Sequence, residues 1–226
     1  MQKSSPVQWG LRVLVYITGL FFMALGVAFS INSNLGVSPV NSLPYIISQV
    51  SGAAMSSCVI AVFSFYILLQ VLILRREFKP VNLLQIVFST IFGYFVDFAK
   101  WVVGDFTLPT YAGRLVMLGI SIMVISVGVL LYIEANLVAM PMEGLSLSVA
   151  KKLGISFPNI KMIVDCIVVA TSITISFVAF HSLVGIREGT VITAIVIGRI
   201  IALIRKPISP LIQKLCFTQP TDEETA

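Results

Sequence analysis

The apolar positions of this chain come in blocks, not stripes. Six runs stand out, over residues 11–31, 58–74, 83–103, 115–133, 160–180 and 190–204, and the last continues toward Pro207. A helix needs ~20 apolar residues to cross a hydrocarbon core, and a run that is apolar on all sides has lipid for its surroundings. The pattern therefore predicts an all-α membrane protein of six spans. Two short stretches lie between spans, and each begins at a proline, Pro39 and Pro141.

These stretches belong to an internal repeat. Residues 26–52 read GVAFSINSNLGVSPVNSLPYIISQVSG, and residues 128–154 read GVLLYIEANLVAMPMEGLSLSVAKKLG. The identities include Gly26/Gly128, Asn34/Asn136, Leu35/Leu137, Pro39/Pro141, Leu43/Leu145 and Gly52/Gly154, a constant offset of 102. Three spans per copy is an odd number, so the second copy must enter the membrane from the opposite face. The expectation is two inverted three-helix repeats, residues 1–106 and 107–217, followed by a short polar tail at 218–226. Inverted repeats of this kind build secondary transporters with a solute site between the halves.

Proline at the start and glycine just past the end mark each intervening stretch as a short helix. About twelve residues span only ~18 Å, too little to cross. Two placements fit. The helix is re-entrant, with its positive end near a central site, or it lies along the interface.

Charge orients the chain. Lys3, Arg12, Arg75, Arg76, Lys79, Lys151, Lys152, Lys161, Arg205, Lys206 and Lys214 fall on one side of the six-span arrangement, and Lys100, Arg114 and Arg187 on the other. Cytoplasmic loops retain lysine and arginine, so both termini are expected inside a multi-pass plasma-membrane protein. This also explains the net charge of +5 without a nucleic-acid partner. Mean hydropathy is +1.01 and only 11% of residues are charged, so no soluble motor or catalytic module fits on the chain. Cys58, Cys166 and Cys216 lack metal or redox spacing and read as small apolar residues; the single histidine, His181, has no cluster around it. No cofactor, metal or enzymatic constellation is expected.

Ionisable residues inside a span are costly and mark function. Arg199 reads either as a side chain reaching back to the headgroups or as a fixed cation for Glu134, Glu143 or an anionic solute. Glu134 and Glu143 stand where the first copy has Asn32 and Asn41, so one copy is titratable and the other neutral. Asp97 with Lys100, and Lys161 with Asp165, have the spacing of local ion pairs. Candidate solute-binding residues are Asn34, Pro39, Asn41, Asn136, Pro141, Glu143 and Arg199. Glu134, Arg187 and Glu188 are candidates for coupling or gating, the last two also readable as a solvated turn. Thr190 suits the cap of the last helix.

The stretches Ser33-Asn34-Leu35-Gly36-Val37-Ser38-Pro39 and Gly185-Ile186-Arg187-Glu188-Gly189-Thr190-Val191-Ile192, with Gly198 and the Phe92-to-Phe98 segment, resemble the YczE/YyaS/YitT-type family of bacterial membrane proteins. The resemblance implies a small six-helix permease without naming a solute. Some members are linked to secondary-metabolite production, which leaves an accessory role open. Many relatives carry Gly-Pro-Trp-Asp where this chain has Val37-Ser38-Pro39-Val40-Asn41, so a role resting on that aspartate does not transfer. The expected function is a secondary permease. The alternative is an accessory or substrate-binding subunit, for which Ala24 and Ala28 supply small-x3-small spacing of the kind used in docking, a spacing common in membrane helices. Expected partners are the bilayer and a small solute, with a second copy or a separate subunit left open.

Overall fold

The computed structural model describes residues 6–216; Lys3 and the tail at 218–226 lie outside the described residues. Eight α-helices follow in chain order and no strand occurs among the described residues. They are α1 (Pro6–Ser33), α2 (Pro39–Ser51), α3 (Met55–Leu74), α4 (Leu84–Val103), α5 (Tyr111–Ala135), α6 (Pro141–Leu153), α7 (Phe157–Phe180) and α8 (Glu188–Cys216). The tight loop between α3 and α4 forms two short 3-10 turns, Arg75–Glu77 and Pro80–Leu83, the second begun by its proline.

Five helices are long and apolar enough to cross a membrane: α1, α3, α4, α5 and α7. The sixth expected span differs for a definite reason. α8 has 29 residues, but only sixteen separate Glu188 from Arg205, and Arg199 lies among them. Its apolar stretch is thus too short and too charged to qualify by composition. α8 also starts two residues earlier than expected and runs on through Pro207 and Pro210 to Cys216.

The exterior is apolar, unlike that of a soluble bundle, and polar side chains are found inside beside an apolar core. Leu68, Leu72, Val87, Val116, Met162, Val178 and Leu203 face outward, while Gln70, Gln85, Ser121, Ser126, Ser172 and Ser176 are buried. Buried hydroxyls mostly return to their own helix, as Ser126 Oγ does to the Ile122 carbonyl at 2.7 Å. Most of these hydroxyls are therefore satisfied before they meet an apolar solvent. Trp9, Trp101 and Tyr111 are exposed near helix ends, where amphipathic rings favour headgroups.

The bundle is organised on the crossing of α1 and α5. Arg12 Nε donates to the Ala135 carbonyl at 2.9 Å, and Ser121 Oγ donates to the Gly26 carbonyl at 2.7 Å. Low numbers on one helix thus meet high numbers on the other, so the two run antiparallel. Glycines let the backbones touch: a Cβ on Gly128 would stand 2.6 Å from the Gly19 carbonyl oxygen, and one on Gly19 would stand 2.7 Å from the Gly128 oxygen.

The short helices pack in matching ways around that crossing. α2 rests on α3 and α7, and α6 rests on α7 and α3. Each begins at its proline and ends at a glycine in the left-handed region, Gly52 (φ 69°) and Gly154 (φ 67°).

Candidate functional site

α1 and α5 each end at an asparagine in the left-handed conformation, Asn34 (φ 54°) and Asn136 (φ 49°). Asparagine tolerates this conformation better than other side chains that carry a Cβ. The chain then turns back in an extended stretch to Ser38 and Met140, the residues before the two prolines. Asn34 and Asn136 are exposed at these turns and do not line the cavity described next. Their backbone carbonyls are held by arginines, Asn34 by Arg187 Nη1 at 3.1 Å and Asn136 by Arg12.

The returning stretches bring the first turns of α2 and α6 to one cavity of about 250 Å³. Its wall comes from the middle of α1 (Met23, Val27), the middle of α5 (Ile125, Val129), the start of α7 (Lys161, Asp165) and α8 from Thr193 to Ile201. The polar floor is Ser38, Asn41 and Glu143. Asn41 and Glu143 each stand third in their helix, behind Pro39 and Pro141.

Both present an unanswered acceptor. Asn41 is 3% exposed; its amide nitrogen donates to Ser38 Oγ at 3.0 Å, and its Oδ1 is buried with no hydrogen-bond partner among the described residues. Glu143 Oε2 is likewise buried without a partner, while the Tyr132 hydroxyl engages the same carboxylate. Tyr132 is held edge-on by Tyr16 at a centroid distance of 5.8 Å. A buried polar group left without its bond costs about 1–3 kcal/mol, so two at equivalent places in one cavity call for a reason.

Lys161 lies one turn into α7 and is bound by both oxygens of Asp165, at 2.5 and 2.7 Å, with each side chain about a quarter exposed. Their spacing reads as a local pair in sequence, and a local pair it is. What sequence did not reveal is that the pair faces the cavity. The available signal was its position inside an otherwise apolar run.

A second polar cluster supports the short helices. Gln70 and Gln85 exchange hydrogen bonds at 3.0 and 3.3 Å, and Gln70 Nε2 also donates to the Pro141 carbonyl at 3.0 Å. Gly144 makes room, since a Cβ there would fall 2.7 Å from Gln70 Oε1. At the other short helix, Ser42 Oγ donates to the Pro39 carbonyl at 2.8 Å and meets Ser172 Oγ at 3.1 Å. Ser42 and Gly144 are 102 apart, as are Gln70 and Ser172.

The other expected residues are placed elsewhere. Arg199 is exposed on α8, outside the cavity wall. Glu134 is 6% exposed and accepts from Arg205 Nε at 2.8 Å and Ser209 Oγ at 2.8 Å, which fastens the end of α8 to α5. Arg187 and Glu188 pair at 3.2 Å on the surface beside Asn34. Glu188 already lies in the first turn of α8, and its carboxyl is held below the usual range, first by its own backbone N–H and then by Arg187. The Thr190 hydroxyl is buried without a partner and caps nothing. Asp97 does not pair with Lys100 among the described residues; its Oδ1 accepts from the Ser56 N–H at 3.1 Å, at the start of α3. There an acidic group meets the positive end of a helix.

Residues 10–206 match the family of unknown function DUF6198. The chain belongs to this family. It is similar to the uncharacterized membrane protein YczE of Bacillus subtilis (strain 168), 29% identical over 192 residues that cover 84% of each chain. It is also similar to the uncharacterized protein YyaS of the same organism, 25% identical over 138 residues, 61% of this chain and 67% of that protein. No solved structure matches. The family match, the apolar exterior and five helices of spanning length together make the chain an integral membrane protein of the YczE/YyaS type.

Proposed function

We propose that the chain is a small secondary permease of the plasma membrane, built from two inverted halves, with its solute site in the cavity between Asn41 and Glu143. In this reading α8 is the sixth span, both termini are cytoplasmic, and no catalytic step is performed.

The observation that carries the proposal is that the cavity is lined by equivalent positions of both halves: Met23 with Ile125, Val27 with Val129, and Asn41 with Glu143, all 102 apart. The packing has the same property. The close pair Gly19 and Gly128 maps under the offset onto Ser121 and Gly26, the other close pair of the crossing. Equivalent helices that cross antiparallel fit a twofold axis lying in the membrane plane, the arrangement that lets one half's outward form be the other's inward form. The first turns of α2 and α6 share a cavity with residues six and ten positions back from the ends of α1 and α5, which favours re-entrant helices over interfacial ones.

Access from both sides is the test. Val129 is half-buried in the cavity wall. In a chain freed of Cys58, Cys166 and Cys216, Val129→Cys is expected to react with a small charged thiosulfonate added to either face of oriented vesicles. Reaction from one face alone, together with a stably co-purifying partner, would make the chain a binding subunit instead.

A further inference from the structure

We propose that the central cavity takes a small monovalent organic cation, a protonated amine carried on a short apolar body. The inference rests on the cavity being a binding site, and it adds the chemical class of the occupant.

Lys161 places two of its three donors on the oxygens of Asp165, and the Asn41 amide nitrogen donates to Ser38 Oγ. Among the described residues, the buried atoms of this lining left with no partner at all are Asn41 Oδ1 and Glu143 Oε2, both acceptors. An ammonium offers donors and no acceptor, and so complements this surplus; a carboxylate or phosphate offers only more acceptors. With both carboxylates ionised, Glu143 and Asp165 against Lys161 leave one negative charge, which a single bound cation neutralises where charge is poorly solvated.

Shape narrows the class. The rest of the wall is Met23, Val27, Ile125, Val129, Ile197 and Ile201, which suits an apolar body better than the water shell of an inorganic ion. The volume of about 250 Å³ falls below the roughly 300–1,000 Å³ of drug-sized sites, so the body is short.

The experiment follows thermal unfolding of the purified full chain in detergent while n-butylammonium, butyrate, butyramide or sodium chloride is added at matched ionic strength. A ligand that binds the native state raises the unfolding temperature in a saturable way. Only butylammonium is expected to do so. Glu143→Gln should abolish the shift. Asn41→Asp, which adds a second carboxylate, should bring half-saturation to a concentration about tenfold lower, a gain that impaired folding of the first variant cannot mimic. A saturable, Glu143-dependent shift with butyrate, butyramide or sodium would overturn the class. So would the absence of any butylammonium shift, or one that survives Glu143→Gln without responding to Asn41→Asp. One-sided labelling of Val129→Cys beside a Glu143-dependent butylammonium shift would instead remove the permease and leave the amine site standing.

Discussion

Single residues in this chain have divided roles that their types alone would not separate. Asn34 and Asn136 share a repeat with Asn41, yet they bend the chain while Asn41 faces the cavity. A left-handed residue with a branched Cβ costs about 1–2 kcal/mol. Asn34→Gly should therefore leave stability and butylammonium binding nearly unchanged, and Asn34→Val should lower stability by about that amount without altering the ligand's selectivity. Chemical unfolding in mixed micelles, run with and without the amine, separates the two effects. Gly128 is subject to a harsher constraint, because what faces it is backbone: the Gly19 oxygen and the Met23 nitrogen, both 2.6 Å from an added Cβ. Neither can rotate away. Gly128→Val should cost about 1–3 kcal/mol by overpacking, while a methyl group at Gly119, which meets nothing within 4 Å, should be neutral in the same assay.

At the level of elements, the sequence announced the short helices clearly. Proline at the first position and glycine past the last are local signals, and they placed α2 and α6 almost to the residue. The first-turn rank of Asn41 and Glu143 was legible for the same reason, since each stands two residues behind its proline. The supports of those helices were not. Gln70 and Gln85 sit in different helices, and no spacing rule connects them to each other or to the Pro141 carbonyl. Arg199 was open to two readings because a charge inside an apolar run looks alike whether it faces a cavity or the exterior; its exposed position on α8 fits the side chain that reaches the headgroups. One further tie belongs to this scale. Lys151, at the end of α6, meets Glu77 of the first 3-10 turn at 2.7 Å. The Lys151 hydrogen bond, and then its charge, hold the Glu77 carboxyl below its ordinary value of 4.5. A lowered carboxyl pKa stabilises the folded state above the unfolded value and loses that contribution as pH falls through the folded one. Hydrogen exchange at residues 151–155 should accordingly rise modestly as pH drops below 4.5, after correction for intrinsic rates. Glu77→Gln should show the faster exchange at neutral pH and no further acid response.

At the scale of the molecule, the proposal stands or falls on orientation. An inverted pair of halves requires the two asparagine turns to lie at opposite faces, Asn34 beside Arg187 and Asn136 beside Arg12. Arginine at both turns means that these two contacts cannot choose a face; the proposed orientation rests on the wider imbalance, ten basic residues against three once Lys161 of the cavity wall is set aside, and on the retention of positive loops in the cytoplasm. That imbalance includes Arg75, Arg76 and Lys79 between α3 and α4, whereas the loop after α4 carries Asp105 and no basic residue before Arg114. In the cysteine-free chain, Asp105→Cys should thus react with a membrane-impermeant maleimide on intact spheroplasts, and Lys79→Cys only after they are opened. The same labels decide the inversion, because Asn34→Cys should follow position 105 and Asn136→Cys position 79. Labelling of both asparagine turns from one face would place the two halves parallel. The cavity would then lose the symmetry that makes a small bundle able to open alternately to either side.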